Sequence, residues 1–175
     1  MVTRKRIPEL FESIACSGNE RNDHDKLIGY IMGYLTILTG QRAMVFINMN
    51  KENVINCERW NKDRRYNNNK TVQAFGEAAL NLNKEEYCWL AYLCEGKCCQ
   101  QGEDIKHVFH TKSGKQIQKP MGLLNLAWVD AGMKGAISFN KIRSSVSTQA
   151  NQHLSEREKA CGQSHDPAIL CRSTR

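Results

Sequence analysis

Between Leu27 and Leu38 the apolar residues Leu27, Ile28, Ile31, Met32, Leu35 and Leu38 fall three and four positions apart. That spacing puts side chains on one face of a helix. Asp23 stands ahead of the run as a candidate N-cap, and Thr39-Gly40 stands behind it as a stop. A short acceptor side chain satisfies free N–H groups at a helix start, and glycine takes the left-handed turn that ends one. Met44 to Met49 follows at once as a second, short apolar helix. Asn83-x-x-Glu86 reads as a capping box that opens a helix with Tyr87, Leu90, Ala91 and Cys94 on one side. The last third reads as helical throughout. Met121 to Ala131 is ended by Gly132, and Ser138 caps a helix burying Phe139, Ile142, Val146 and Ala150. A further capping box, Ser155-x-x-Glu158, opens another helix to about Cys161.

Other stretches break this pattern. Residues 1–22 are polar, with Pro8 and Gly18, and read as a linker or the remnant of a preceding domain. Trp60 to Lys70 is rich in Asn, Asp, Lys and Arg and reads as a solvated loop or hairpin tip. Thr71 to Phe75 and Ala79 to Leu82 are expected as two short strands around Gly76. Val108 to Thr111 is a short extended segment before a turn at Ser113-Gly114. The expected fold class is mainly α with a small antiparallel β-sheet (α+β), in one domain over 23–175.

The chain's 175 residues are enough for one core, and 41% of them are hydrophobic, which excludes a disordered polyelectrolyte. Lys and Arg number 25 against 18 Asp and Glu, a net charge of +7. An excess of cations suits a polyanion, because each one set against a phosphate releases counterions; a basic protein with no nucleic-acid role carries the same charge. Met1 to Pro8 is basic with no apolar run behind it, so no signal peptide is expected. No apolar stretch approaches the roughly 20 residues that a membrane span needs. An intracellular protein of the nucleus or cytoplasm, with no membrane partner, is the expectation, and its eight cysteines should be reduced thiols. Cys94-x3-Cys98-Cys99 followed by His107-x2-His110 has a superficial zinc-ligand spacing. Vicinal cysteines turn poorly toward one ion and no second CxxC follows, so ordinary thiols and no metal or other cofactor are expected.

Three segments carry candidate chemistry. Leu35-Thr36-Ile37-Leu38-Thr39-Gly40-Gln41-Arg42 delivers an Arg just past a glycine turn. Asn68-Asn69-Lys70-Thr71 precedes Ala74-Phe75-Gly76 and then Leu82-x-x-Glu85-Glu86-Tyr87-x-Trp89-Leu90. Ser138-Phe139-Asn140-Lys141-Ile142-Arg143 is followed by Gly162-Gln163-Ser164-His165-Asp166. In order and spacing these resemble the catalytic domain of a tyrosine recombinase, the phage-type integrase family, and especially its integrase-like copies on mobile elements of animal genomes. The resemblance runs from about residue 27 to His165. It implies a DNA breaking-and-rejoining fold and double-stranded DNA as partner, with self-association or assembly with full-length recombinase copies.

The family attacks the scissile phosphate with a Tyr hydroxyl, giving a phosphotyrosyl link and a free 5′ hydroxyl. The resemblance assigns Arg42 and Arg143 to the two guanidinium positions that hold the charged phosphoryl centre. Planar forks suit that task, since each can donate two bonds to one phosphate. It assigns Lys70 to the proton donor for the leaving oxygen and His165 to a hydrogen bond on the same phosphate. Asn140 falls where the family commonly has His; it can bond a phosphate oxygen but cannot move a proton at neutral pH. Taken alone, each of these is a commonplace surface residue, and Trp60, Trp89 and Trp128 read as core or groove lining.

The tail departs from the family. By count the nucleophilic Tyr falls near Thr174, yet Asp166 to Arg175 contains none, and no Tyr follows Tyr92. The expected function is therefore a DNA-binding domain for recombination or integration, truncated before its Tyr and catalytically crippled. A non-catalytic DNA-binding protein and a non-functional fragment of a mobile element are the alternatives.

Overall fold

The protein is described by a computed structural model covering residues 2–16, 21–55, 58–60, 63–68, 78–96 and 105–163. Its helices are α1 Val2–Cys16, α2 Arg21–Thr39, α3 Ala43–Ile47, α4 Lys51–Ile55, α5 Lys84–Cys94, α6 Pro120–Asp130 and α7 Phe139–Gln163. The core centres on α2, whose Leu27, Ile28, Ile31, Met32 and Leu35 are fully buried. Around them pack Ile7, Leu10 and Ile14 of α1, Trp89, Leu90 and Leu93 of α5, Leu124 and Ala127 of α6, and Phe139 and Ile142 of α7.

The tightest approach is between α2 and α6. A Cβ placed on Gly29 would lie 2.1 Å from the Leu123 carbonyl oxygen, and one on Gly33 would lie 3.0 Å from Leu124 Cδ1. Gly29 lets the backbones of α2 and α6 meet where a larger residue would separate them, and Gly33 sits against the end of the Leu124 side chain.

The expected α+β class is corrected. The helical body is about 70% helix, and a small antiparallel sheet is not part of it. The apolar stripes of the helices bury mainly against one another around α2. Among the described residues of 58–82 are short extended runs, Glu58–Trp60, Asp63–Asn68 and Ala78–Leu82, laddered antiparallel in that order. The side chains of Leu80 and Leu82 are buried in the common core. The strand expected over Thr71 to Phe75 lies outside the described residues.

Two further expectations change. Residues 2–16, read as linker, form α1, and its stripe of Ile7, Leu10 and Ile14 belongs to the common core. Pro8 sits inside this helix without an N–H to bond the preceding turn, and tertiary packing outweighs that loss. Ser155 does not open a new helix, because α7 runs unbroken from Phe139 to Gln163. A capping box needs a non-helical backbone at its first residue, and no Gly or Pro precedes Ser155 to supply one. The box at Asn83 does form. Asn83 Oδ1 accepts from the Glu86 amide, and Glu86 Oε2 accepts from the Asn83 amide, each at 2.9 Å.

Charged side chains tie α1 to the body. Asp130, at the end of α6, accepts from Arg6 Nε and from the Tyr30 hydroxyl, each at 2.9 Å, and lies 3.0 Å from Lys26 Nζ. Burial pushes the Asp130 carboxyl up, but the bonds from Arg6, Lys26 and Tyr30 outweigh it and hold the pKa at about 2. A carboxylate depressed in the folded state adds stability above its unfolded pKa and loses it as pH falls through the folded one. Here that window runs from about pH 4 down to about 2. Asp130→Asn should cost on the order of 2 kcal/mol at pH 7 and remove that acid limb from a stability–pH curve. A limb unchanged in the variant would show that Asp130 does not cause it.

Candidate nucleic-acid interface

The first candidate arginine follows a helix stop. Thr39 Oγ1 donates back to Leu35 O at 2.6 Å, and Gly40, at φ +66°, closes the end of α2 with its amide on Thr36 O at 2.9 Å. Left-handed backbone there is cheap for glycine and strained for other residues. Gln41 continues the turn, its amide donating to Thr39 Oγ1 at 3.3 Å. Arg42 then takes the extended N-cap position of α3, with no side-chain cap bond of its own. Its side chain is exposed, and its carbonyl accepts from the Val45 amide at 3.0 Å.

The second arginine comes from the start of α7. Ser138 Oγ accepts from the Lys141 amide at 3.2 Å and caps that helix. Phe139 and Ile142 turn inward to the core. Those two anchors orient the neighbouring side chains: Asn140 and Lys141 are exposed, and Arg143 is half-buried. Arg143 Nε donates to Gly40 O at 2.8 Å, across 103 positions of sequence. The second arginine is thus bonded to the turn that carries the first. This bond leaves the two Nη groups of Arg143 outside it. It also has a structural value, because a cation at the C-terminus of α2 meets the negative end of the helix dipole. Asn140 lies one turn before Arg143 on the same helix.

Lys70 and His165, the other two candidates, lie outside the described residues. So do Cys98 and Cys99 of the zinc-like spacing. In that group Cys94 is buried, and burial pushes its thiol up to about 11. The ring nitrogens of His110 face the carbonyls of Thr111 and Leu93. Among the described residues no group of three or more His, Cys, Asp or Glu is placed to hold a metal ion. No described helix is long and apolar enough to cross a membrane.

A cavity of about 230 Å³ opens between α1, α2, α6 and α7, lined by Gly29, Gly33, Trp128, Met133 and Ile142 among others. Its tyrosines, Tyr30 and Tyr34, have their hydroxyls engaged by Asp130 and Glu86, and Trp128 Nε1 donates to Lys134 O at 3.3 Å. It is an apolar space behind α7 and unsuited to a phosphate. Trp89 is core, edge-on to Tyr34 at 5.3 Å.

The Gly40 carbonyl is a partner of Arg143 that the motifs did not single out. A glycine after Thr39 signals a helix end, but nothing local signals that its oxygen receives a side chain from the far end of the chain. Comparison with known protein families, with curated proteins and with solved structures finds no match, so the recombinase likeness rests on the residues quoted for it.

Proposed function

We propose that this chain is a DNA-binding domain of the tyrosine-recombinase kind, gripping a backbone phosphate between the turn at Arg42 and the first turn of α7. One observation carries the reading: the 2.8 Å bond from Arg143 Nε to Gly40 O, which sets two distant arginine segments side by side. The net charge of +7 supports a polyanionic partner. Two guanidinium forks held by helix ends suit a phosphate oxygen better than flexible ammonium groups would. Asn140, exposed beside them, adds a neutral donor.

Breaking and rejoining in recombination or integration requires a Tyr oxygen in line with the leaving 5′ oxygen. Tyr30 and Tyr34 are buried, with their hydroxyls bonded to Asp130 and Glu86. With no Tyr after Tyr92, these 175 residues bind without cutting, unless a neighbouring full-length copy supplies the nucleophile.

Fluorescence anisotropy with a random-sequence duplex tests the binding. Affinity should fall steeply with added salt and depend little on sequence. Arg42→Ala and Arg143→Ala should each weaken it by about tenfold, with a shallower salt slope. Because Arg143 also holds Gly40, urea unfolding of both variants separates a loss of binding from a loss of stability. Affinity insensitive to salt, or wild-type affinity in both variants, would sink the reading. A nicked duplex that traps intermediates tests the chemistry: a denaturant-resistant protein–DNA band, lost in Tyr66→Phe or Tyr92→Phe, would show that the nucleophile lies elsewhere.

A further inference from the structure

We propose that the stack of His24 and His110 is an acid-opened clasp, in which protonation of His110 against the buried His24 ring releases the 105–117 loop from α2 and α5. Both rings are fully buried, stacked with centroids 5.6 Å apart and planes 30° apart. His24 projects from the first turns of α2, and neither of its ring nitrogens has a hydrogen-bond partner. Asp25 Oδ1 lies 3.6 Å from its Nδ1, beyond hydrogen-bond range.

His110 is placed between two acceptors. Nδ1 lies 2.9 Å from Thr111 O and Nε2 lies 3.3 Å from Leu93 O. A neutral imidazole has one N–H, so it can donate to only one of these carbonyls. The shorter contact assigns the proton to Nδ1, and the lone pair of Nε2 then faces Leu93 O. A second proton would satisfy both carbonyls but would place a cation in a dry site against a second imidazole. Burial disfavours that cation first of all; the two carbonyls favour it, and His24 opposes it, with the net effect of lowering the pKa of His110. Other titratable or charged groups on the surrounding elements are Asp25 on α2, Cys94 and Glu95 at the end of α5, and His107 and Lys112 on the loop itself. The Cys94 thiol is neutral.

The loop is also tied to α3 and α4. Val108 and Phe109 are fully buried, with Phe109 edge-on to Phe46 of α3 at 6.1 Å. Val108 N donates to Met49 O at 3.0 Å, Lys51 N to Lys106 O at 2.9 Å, and Gln116 Nε2 to Asn48 Oδ1 at 3.1 Å. These bonds brace α3 and α4, so opening the clasp unfastens the segment that follows Arg42. The inference stands on the histidine geometry and does not depend on DNA binding.

A histidine with a lowered folded pKa adds stability above its unfolded value, near 6.5, and loses it as pH falls below that. Amide exchange followed by NMR between pH 7.5 and 5 is the test. Protection at Lys51, Val108 and Thr111, taken relative to the intrinsic exchange rate at each pH, should fall at least tenfold across that range, while amides within α2 keep theirs. The loss of protection should vanish in His110→Gln, which has no titrating ring, and persist in Asp130→Asn, because Asp130 titrates lower. Should His110→Gln fail to fold, the ring signals of His110 in the wild type decide. A ring that becomes protonated in that range with no change in loop protection would overturn the clasp, as would loop protection unchanged from pH 7.5 to 5.

Discussion

Gly29→Ala is expected to destabilise the protein by about 3 kcal/mol or more, the upper range for overpacking a close contact. The sign is the informative part. Alanine is the better helix former by about 1 kcal/mol, so α2 considered alone would gain from the change. The built Cβ, however, would meet Leu123 O at 2.1 Å, Leu123 C at 2.7 Å and Ala127 Cβ at 3.0 Å. Two of those atoms are backbone, which no rotamer change can move. The helices must separate, and the core contacts of Leu124 and Ala127 with α2 go with them. Gly122→Ala on α6 is the control, since nothing lies within 4 Å of a Cβ there. That change should be neutral or stabilise by about 0.5 kcal/mol. Urea unfolding of the two variants makes the comparison. A Gly29→Ala protein as stable as the wild type would show that α2 and α6 do not cross here.

Glu86→Ala is expected to cost about 3 kcal/mol, in the range for breaking a buried charge network. Glu86 is 2% exposed. It accepts from the Tyr34 hydroxyl at 2.7 Å and from the Asn83 amide at 2.9 Å, with Arg4 Nη2 at 3.5 Å. Removing the carboxylate leaves the Tyr34 hydroxyl buried without its acceptor, opens the capping box and takes away the ion pair with Arg4 of α1. Arg4 contributes little of this, because its side chain is 48% exposed and water screens the pair. Glu86→Gln should cost roughly half as much, since the amide keeps one acceptor and turns a donor toward the other site. Tyr34→Phe combined with Glu86→Gln in a double-mutant cycle isolates the hydroxyl–carboxylate bond, with a coupling of about 1–2 kcal/mol expected from thermal unfolding. Additive effects would show that Tyr34 and Glu86 do not share a bond.

These two sites also show how much could be read in advance. The Asn83–Glu86 box was legible because both of its bonds join residues three apart. Its second role, as the acceptor for Tyr34 and Arg4, was not, since those partners lie 52 and 82 positions away. The run from Leu27 to Leu38 and its stop at Thr39-Gly40 were legible for the same local reason. The first 22 residues misled: Pro8 and the charges around it masked the Ile7, Leu10, Phe11 and Ile14 stripe, which has the spacing of a helix face. The expected sheet misled because a short alternating segment such as Ala79 to Leu82 shows where a chain can extend but not whether a sheet layer follows. That outcome depended on the core forming around α2, mainly from other helices.

At the candidate site the division is sharper. Sequence determined by itself that Gly40 ends a helix, that Ser138 begins one, and that Arg42 and Arg143 stand beside those ends, because caps and stops are set by neighbours along the chain. Only tertiary structure decided that Arg143 would bond Gly40 and so stand beside Arg42's turn. The burial of Phe139 and Ile142 against the common core aims α7 at the end of α2. The His24–His110 stack has the same origin: two polar rings 86 positions apart in sequence share a dry site because the helices and the loop around them close over it. Contacts of this kind are settled by which apolar faces bury one another, and that is a property of the whole chain, invisible in any short stretch of it.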